Sequence, residues 1–372
     1  MQDGVRFTET EEELHASFQL RYKVYVEGMG RLKDKGDHEL KELRDEQDQL
    51  ARAIVAVKDG TAVGTLRLFW GGDVPFNQNL IDAYHLSPFQ KLLKDSEICV
   101  IERLMVDEQH RRSAIALQMY KLAWDFCINH HVEAVFLDCE PHHINSYLKL
   151  GFRPFAKTYS YPGIGLVIPM VYILGDSEHL KHVGSPFSLL TKESDFKYTS
   201  QLIEMLEQNR NVLIKSEVDD KSYLEQIYND NNLLASDKPK IFDSLTDSEI
   251  DRLIEKSAII TCNKGDHIIE FNNAARTMFV VLSGHVEVNL PSGALLAVIS
   301  PGEVIGEIAY FLDVPRTASI IAATNNVKIL SLDQASMSRL LKYEPTIASK
   351  FLLSICKSLC SRLMSNAAIS GR

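Results

Sequence analysis

Two short stretches of this 372-residue chain combine residue types that can do chemistry. The first is Pro301-Gly-Glu-Val-Ile-Gly-Glu-Ile-Ala-Tyr-Phe-Leu-Asp-Val-Pro-Arg-Thr-Ala-Ser319. Gly306 frees the backbone to turn close to a ligand. Glu307 to Leu312 suits a single helical turn whose first N–H groups face an anion. Arg316, set behind a proline, can clamp a phosphate through two N–H donors. Glu307 can accept hydrogen bonds from a sugar hydroxyl, so the stretch points to a sugar-phosphate ligand. The second is Val106-Asp-Glu-Gln-His-Arg-Arg-Ser-Ala-Ile-Ala-Leu-Gln-Met-Tyr120. A strand ends there, Arg111 and Arg112 follow, and a helix begins at about Ser113. Such a helix start suits a pyrophosphate or phosphopantetheine. Taken alone, these residues read equally as an ordinary strand-to-helix turn with solvated arginines.

Other charged residues are candidates for proton transfer. A carboxylate or histidine can take a proton from a substrate group. Glu102, Glu140, His142 and His143 are available, with Glu102 preferred for its place on the central strand. Arg21, Asp45, Asp48, Arg67 and Arg103 suit an acceptor site or an internal ion-pair network, and the residues alone leave both open. No metal ligand set stands out. The six cysteines are scattered without a C-x-x-C pair and read as buried free thiols. Cys356 and Cys360, four apart, share a helix face on which packing is expected.

These residues need elements to hold them. The chain is long enough for two cores, and 45% apolar with 24% charged residues is an ordinary globular composition. A net charge of −10 argues against a phosphate-tracking surface for DNA. No apolar run is long enough for a membrane span and no signal pattern opens the chain, so a cytoplasmic protein is expected. Region 1–174 alternates strands and helices. A helix is expected at Glu11–Val26 and a hairpin at Leu50–Val57 and Thr61–Trp70. Strands follow at Ile98–Val106, Val132–Asp138 and Val167–Leu174, with helices at Ser113–Asn129 and Ile144–Leu150. Region 175–239 reads as a helical connector, with helices at Gln201–Glu207 and Ser222–Tyr228. Region 240–372 opens on a helix at Asp247–Lys256. Short β segments punctuated by glycine follow, then helices at Gln334–Tyr343 and Ile347–Met364, which suits a small β-roll. The fold class expected is α+β.

The 301–319 stretch resembles the phosphate-binding cassette of cyclic nucleotide-binding domains, and the resemblance extends over region 240–372. It implies that Glu307 takes the ribose 2′-hydroxyl and Arg316 the cyclic phosphate. Gly306 would give close approach, Ile308 and Ala309 backbone donors, and Thr317 or Ala318 contacts to phosphate or base. The last helix would be a lid. Cyclic AMP, or cyclic GMP, is the implied ligand. Region 1–174 resembles the GNAT acyltransferase superfamily in its Arg-rich turn, long helix and Tyr147-Leu-Lys-Leu-Gly-Phe152 segment. Here Ala114 stands where that family's loop has its first glycine. More narrowly, Arg21-Tyr-Lys-Val-Tyr-Val26, Asp45-x-x-Asp48, Gly64-Thr-Leu-Arg67 and Arg103-Leu-Met-Val106 are similar to acyl-homoserine-lactone synthases and long-chain N-acyl amino acid synthases. The lactone pattern has a glutamate where this chain has Val100, and the glutamate here is Glu102, next to Arg103, a departure that favours simple N-acylation over lactone synthesis. The resemblance implies an acyl donor, acyl-CoA or acyl carrier protein, held by Leu104, Val106, Arg111, Arg112, Ser113, Ala114 and Ala116. It implies backbone stabilisation of an oxyanion near Leu104–Val106. Glu102 would be the base and Tyr147 the proton donor to the departing thiolate. Arg21, Asp45, Asp48, Arg67 and Arg103 would serve the acceptor. The expected function is an N-acyltransferase under cyclic nucleotide control, with a homodimer through the C-terminal helices allowed. A non-catalytic nucleotide sensor and a protein lysine acetyltransferase are the alternatives.

Overall fold

The computed structural model describes the chain except residues 112, 162–163, 191–194, 208–211, 215–238, 255–256, 274–276, 333 and 371–372. The helix expected at Ser222–Tyr228 therefore lies outside the described residues. The fold is α+β, and the chain divides into two compact units. The first comprises Met1–Cys139, Ser146–Ala156 and Pro169–Arg210; the second comprises Glu140–Asn145, Lys157–Ile168 and Asn211–Arg372.

A mixed sheet organises the first unit. Strands β1 (Gly4–Phe7), β2 (Arg52–Lys58), β3 (Thr61–Trp70) and β4 (Ile98–Val106) pair antiparallel in that order. β5 (Ala134–Cys139) then lies parallel to β4, and the sheet continues through β8 (Gly165–Ile173) to β6 (Arg153–Pro154). The ladder between β4 and β5 covers Ile98–Val100 against Ala134–Phe136, and both strands run on past it, so they splay beyond that point. Helix α1 (Glu11–Tyr22) starts at a Thr10 cap that accepts from the Glu13 N–H, as a threonine there should. The helix expected to reach Val26 widens into a π-helical turn at Lys23–Gly28. Helix α2 (Gln78–Ala83) carries no strong periodicity and was not expected from sequence. Helix α3 (Ile115–Asn129) crosses the sheet because Gly64 of β3 has no side chain. A Cβ there would stand 2.9 Å from Ile115 and 3.0 Å from Met119. Helix α4 (Ile144–Leu150) is followed by α5 (Ser177–His182) and α6 (Thr199–Glu207). One face of the sheet buries Phe69, Val100, Phe136, Phe155 and Val171 with Leu80 of α2 and Leu202 of α6. A buried aromatic group of Trp124, Phe152, Tyr172 and Phe187 fills the α3 side.

The second unit is a β-roll closed by helices. It holds β7 (Tyr159–Tyr161), which pairs with the first residues of β8. Two antiparallel sheets make the roll. One orders β15 (Val304–Ile305), β12 (Met278–Ser283), β17 (Val327–Leu332), β10 (Ala258–Cys262) and β9 (Val212–Ile214). The other orders β11 (His267–Ile269), β16 (Ser319–Ala322), β13 (Val286–Asn289) and β14 (Leu295–Ile299). Helix α7 (Asp247–Ile254) lies between β9 and β10, the short α8 (Glu307–Leu312) interrupts the later strands, and α9 (Gln334–Tyr343) and α10 (Pro345–Ser370) follow. Ile250 and Leu253 of α7 share one core with Val280, Leu330, Phe351 and Ile355. Proline at the first position of α10 fits a helix start, where its missing N–H costs nothing. The buried residues described on α10, Ile347, Ala348, Phe351 and Ile355, lie in its first half. Cys356 and Cys360 are exposed on it, whereas the other four cysteines are buried, so the packed face expected for this pair carries other residues.

Candidate functional site

The first cluster is built around a break in β4. Thr65 opposes Met105 and Arg67 opposes Glu102, so β4 carries one extra residue between them. Arg103 takes up that residue with a φ of +53°. On a regular strand Glu102 and Arg103 would point to opposite faces. The bulge lets both reach one cluster. Arg67 Nε donates to Glu102 Oε1 at 2.6 Å, and Arg67 Nη1 donates to Asp45 Oδ1 at 2.7 Å. Arg103 Nη2 donates to Asp45 Oδ2. Arg21, fully buried on α1, donates to Asp48 Oδ1 at 2.5 Å. Arg67 Nη1 also pairs with that oxygen, at 2.9 Å. The Asp45-x-x-Asp48 spacing has a local cause. Asp45 accepts from the Gln47 N–H, and Asp48 Oδ2 accepts from the Asp45 N–H, closing a capping box.

Three guanidinium groups thus face three carboxylates, with matching effects on their protons. Burial pushes the Asp48 carboxyl up, but Arg21 and Arg67 outweigh it and hold it below the usual carboxylate range. Burial pushes Arg67 down, and Glu102, Asp45 and Asp48 outweigh that, so its proton is held more tightly than usual. Burial also lowers Arg21, against the pull of Asp48. Tyr84 donates to the second oxygen of Glu102 at 2.7 Å, and burial followed by that neighbouring charge raises its hydroxyl well above the usual value. Arg103 Nη1 is buried and has no hydrogen-bond partner among the described residues.

The second element is the start of α3. Ser113 and Ala114 are exposed there, and Leu117 in the first turn is 42% exposed, so the helix N-terminus is open. Ser113 Oγ donates to the His110 carbonyl at 2.6 Å, and Arg111 Nε reaches the Val106 carbonyl at 3.4 Å. Ala114 sits at φ −74°, ψ −3°, a conformation any residue adopts, so an alanine in this loop carries no backbone strain. Arg112 lies outside the described residues. Tyr147 of α4 packs edge-on against Phe152 with ring centroids 5.6 Å apart. Its hydroxyl neighbours Tyr120, whose proton is held above the usual range by burial first and Tyr147 second.

The third element lies in the second unit. Gly306 has a φ of +77°, and a Cβ on it would stand 2.5 Å from Arg316 Nη1 and 3.0 Å from the Thr277 carbonyl, so only glycine fits. Arg316 is buried. Its Nη1 donates to the Gly306 carbonyl at 2.8 Å and its Nη2 to the Thr277 carbonyl at 2.5 Å. Burial lowers its pKa to about 10, against the opposing charges of Glu307 and Glu140. Glu307, also buried, accepts from Arg362 Nη1 of α10 at 3.2 Å, while Arg362 Nη2 donates to the Val304 carbonyl at 2.8 Å. Ala309 is buried, Ile308 and Thr317 are exposed, and Ala318 is half-buried. Arg316, Thr277, Ile268, Phe279 and Asn273 line a small pocket open to solvent.

Residues 16–173 match the family model "N-acyl amino acid synthase FeeM", and residues 259–344 match the model "Cyclic nucleotide-binding domain". The chain joins these two modules. Among curated relatives, a cGMP-dependent protein kinase of Plasmodium berghei is 27% identical over 157 residues, 40% of this chain and 17% of its own. A cAMP-dependent protein kinase regulatory subunit of Debaryomyces hansenii is 28% identical over 102 residues, 27% of this chain and 22% of its own. The chain thus spans about a fifth of the length of these relatives. Among solved structures, a CoA-dependent acyl-homoserine lactone synthase, BjaI, with SAM and isopentyl-CoA is 18% identical. It covers 47% of this chain and 84% of its own at a TM-score of 0.36.

Within the FeeM-like module the structure gathers Arg21, Asp45, Asp48, Arg67, Glu102 and Arg103 into one network, with Leu104 and Val106 further along the same strand. Glu140 and His143, weighed from sequence as proton acceptors, group with the second unit. The side chain of His142 is outside the description. Sequence reasoning missed Tyr84 and Arg362. Tyr84 lies in a stretch with no other chemistry-bearing pattern, and Arg362 sits 55 residues from the carboxylate it meets. Within the stretch that matches the cyclic nucleotide-binding model, Arg316 bonds the Gly306 carbonyl and feels the charge of Glu307.

Proposed function

We propose that the chain is an N-acyltransferase of GNAT type that moves an acyl group from a thioester carrier, acyl-CoA or acyl carrier protein, to an amine that carries a carboxylate. We further propose that a cyclic nucleotide, cyclic AMP or cyclic GMP, bound at Gly306, Glu307 and Arg316 controls it. The observation that carries the first part is Arg103 Nη1: like Arg21 Nε and Nη2 in the same network it is buried without a partner among the described residues, but the Arg103 side chain is 15% exposed where that of Arg21 is wholly buried. A buried donor of this kind calls for an anionic acceptor. The FeeM family match supports the same substrate class.

In this reading Arg103 and its neighbours in the network bind the acceptor carboxylate. Glu102 takes a proton from the acceptor ammonium. The free amine attacks the thioester carbonyl, and the C–N bond forms as the carbonyl electron pair moves to oxygen. Backbone N–H groups near Leu104–Val106, freed by the splay of β4 from β5, stabilise that oxyanion. The oxyanion's electron pair then re-forms the carbonyl as the C–S bond breaks, the thiolate leaves with the proton of Tyr147, and the second proton lost by the nitrogen passes through solvent to restore the tyrosine. Arg111, Ser113, Ala114 and Ala116, at the open start of α3, hold the carrier phosphates. Tyr84 positions Glu102.

The test follows free thiol release from acyl-CoA and from acyl carrier protein, with amino acids as acceptors and with or without nucleotide. Glu102→Gln is expected to lower kcat by roughly a hundred- to ten-thousandfold, the usual worth of a positioned base. Turnover unchanged in that variant would remove Glu102 from the chemistry. No turnover with any carrier and amine would favour a non-catalytic module.

A further inference from the structure

The cavity beside Arg316 is walled by more than the roll. Glu140 and Pro141 line it from one inserted segment of the second unit, and Ile164 and Leu166 from the other. The second of these is fastened to the roll by two hydrogen bonds: Thr158 Oγ1 donates to the Thr261 carbonyl at 3.0 Å, and Ser160 Oγ accepts from the His267 N–H at 2.7 Å. The first is fastened by Glu140, whose Oε2 accepts from Asn273 Nδ2 at 3.2 Å. Asn273 is in turn tied to the arginine. Arg316 N–H donates to the Asn273 carbonyl at 2.9 Å, and Asn272 N–H donates to the Arg316 carbonyl at 2.8 Å. One carboxylate is therefore held, through Asn273, against the backbone that carries the cavity's buried guanidinium.

We propose that Glu140 occupies the phosphate end of the nucleotide cavity as a built-in anion, and that a cyclic nucleotide must displace it to bind. This rests on the reading of Arg316 as the phosphate-binding residue. A cyclic phosphodiester and a carboxylate each carry one negative charge, and two such charges at one buried arginine repel. The charge of Glu140 also acts on the Arg316 proton, in keeping with this placement. Closure by Glu140 lowers the fraction of molecules competent to bind and so weakens apparent affinity in proportion.

The device has a reach beyond the cavity. Glu140 directly follows β5, and Tyr147 stands seven positions further on. Expulsion of Glu140 thus breaks one tie of the segment between the splayed strand and the helix that carries the proposed proton donor. A ligand that binds only the released state shifts that segment's population, which is what control of the acyl step requires.

The experiment is calorimetric titration of the full chain with cyclic AMP and cyclic GMP, on the wild type, Glu140→Gln, Glu140→Asp and Arg316→Ala. Glutamine keeps an oxygen for Asn273 and removes the charge. Its dissociation constant is expected to fall about tenfold, with the shorter aspartate in between. Binding is expected to vanish in Arg316→Ala. The fold by which saturating nucleotide changes thiol release is expected to shrink in Glu140→Gln. A wild type that binds while both Glu140 variants bind equally or more weakly would overturn the displacement and leave the nucleotide reading standing. Should one Glu140 variant fail to fold, the other decides. Absence of binding by the wild type would end both.

Discussion

At the scale of single residues, the chemistry of the FeeM-like module depends on a bulge. The extra residue at Arg103 turns two adjacent side chains of β4 toward one network, and Arg103 Nη1 there has no hydrogen-bond partner among the described residues, as is also true of Arg21 Nε and Nη2. Lysine at this position would keep the charge and lose the forked geometry. Arg103→Lys is therefore expected to raise KM for a carboxylate-bearing acceptor roughly ten- to hundredfold, the worth of one charge-assisted hydrogen bond. Steady-state kinetics with the acyl donor saturating would check it, and an unchanged KM would assign Arg103 to the internal network alone. The arginines and acids of this network were legible in the sequence as types and spacings. That they meet was not, because Arg103 and Asp45 are 58 residues apart and a bulge leaves no hydrophobic signature. Tyr84 and Arg362 stayed hidden for the same reason: each acquires its role from a partner supplied by tertiary structure.

At the scale of elements, long periodic segments were readable and short ones were not. The expected helix at Ser113–Asn129 and strand at Ile98–Val106 correspond to α3 and β4. β1, the two-residue β15 and α2 carry too few residues for a period to register, and β10 is a five-residue apolar run hidden behind α7. The change of pitch after Tyr22 leaves no trace in the sequence, because a π turn keeps apolar residues coming without keeping the 3.6-residue pitch. Helix α5 carries a consequence for stability. Burial first, and then the charge of Arg153, press the His179 pKa from 6.5 down to about 4. A histidine held neutral in the folded state stabilises fully above its unfolded value, and that contribution is lost as pH falls toward the folded one. The urea midpoint is thus expected to drop between pH 6.5 and about 4 by more in the wild type than in His179→Gln. Parallel pH profiles for the two proteins would show that α5 contributes nothing to acid sensitivity.

At the scale of the whole molecule, the two modules were legible because each has a dense local motif, the arginine-rich turn in one and the cassette around Arg316 in the other. Their physical boundaries were not legible from composition, since the segments 140–145 and 157–168 belong by contact to the second unit and by sequence to the stretch that matches the synthase model. Saturating nucleotide should stabilise the unit that binds it. At a hundredfold excess over the dissociation constant the gain is about 2.7 kcal/mol, read as a rise in the melting temperature that Arg316→Ala abolishes. A rise that survives that substitution would locate the ligand elsewhere. The chain passes between its two units at five places, after residues 139, 145, 156, 168 and 210. During synthesis the ribosome therefore releases the inserted segments of the second unit long before the roll that receives them. Those early strands must wait, partly assembled, until the last third of the polypeptide has emerged. A gene fusion that exchanged this roll for another would have to carry the two insertions with it, although the modules read as separable.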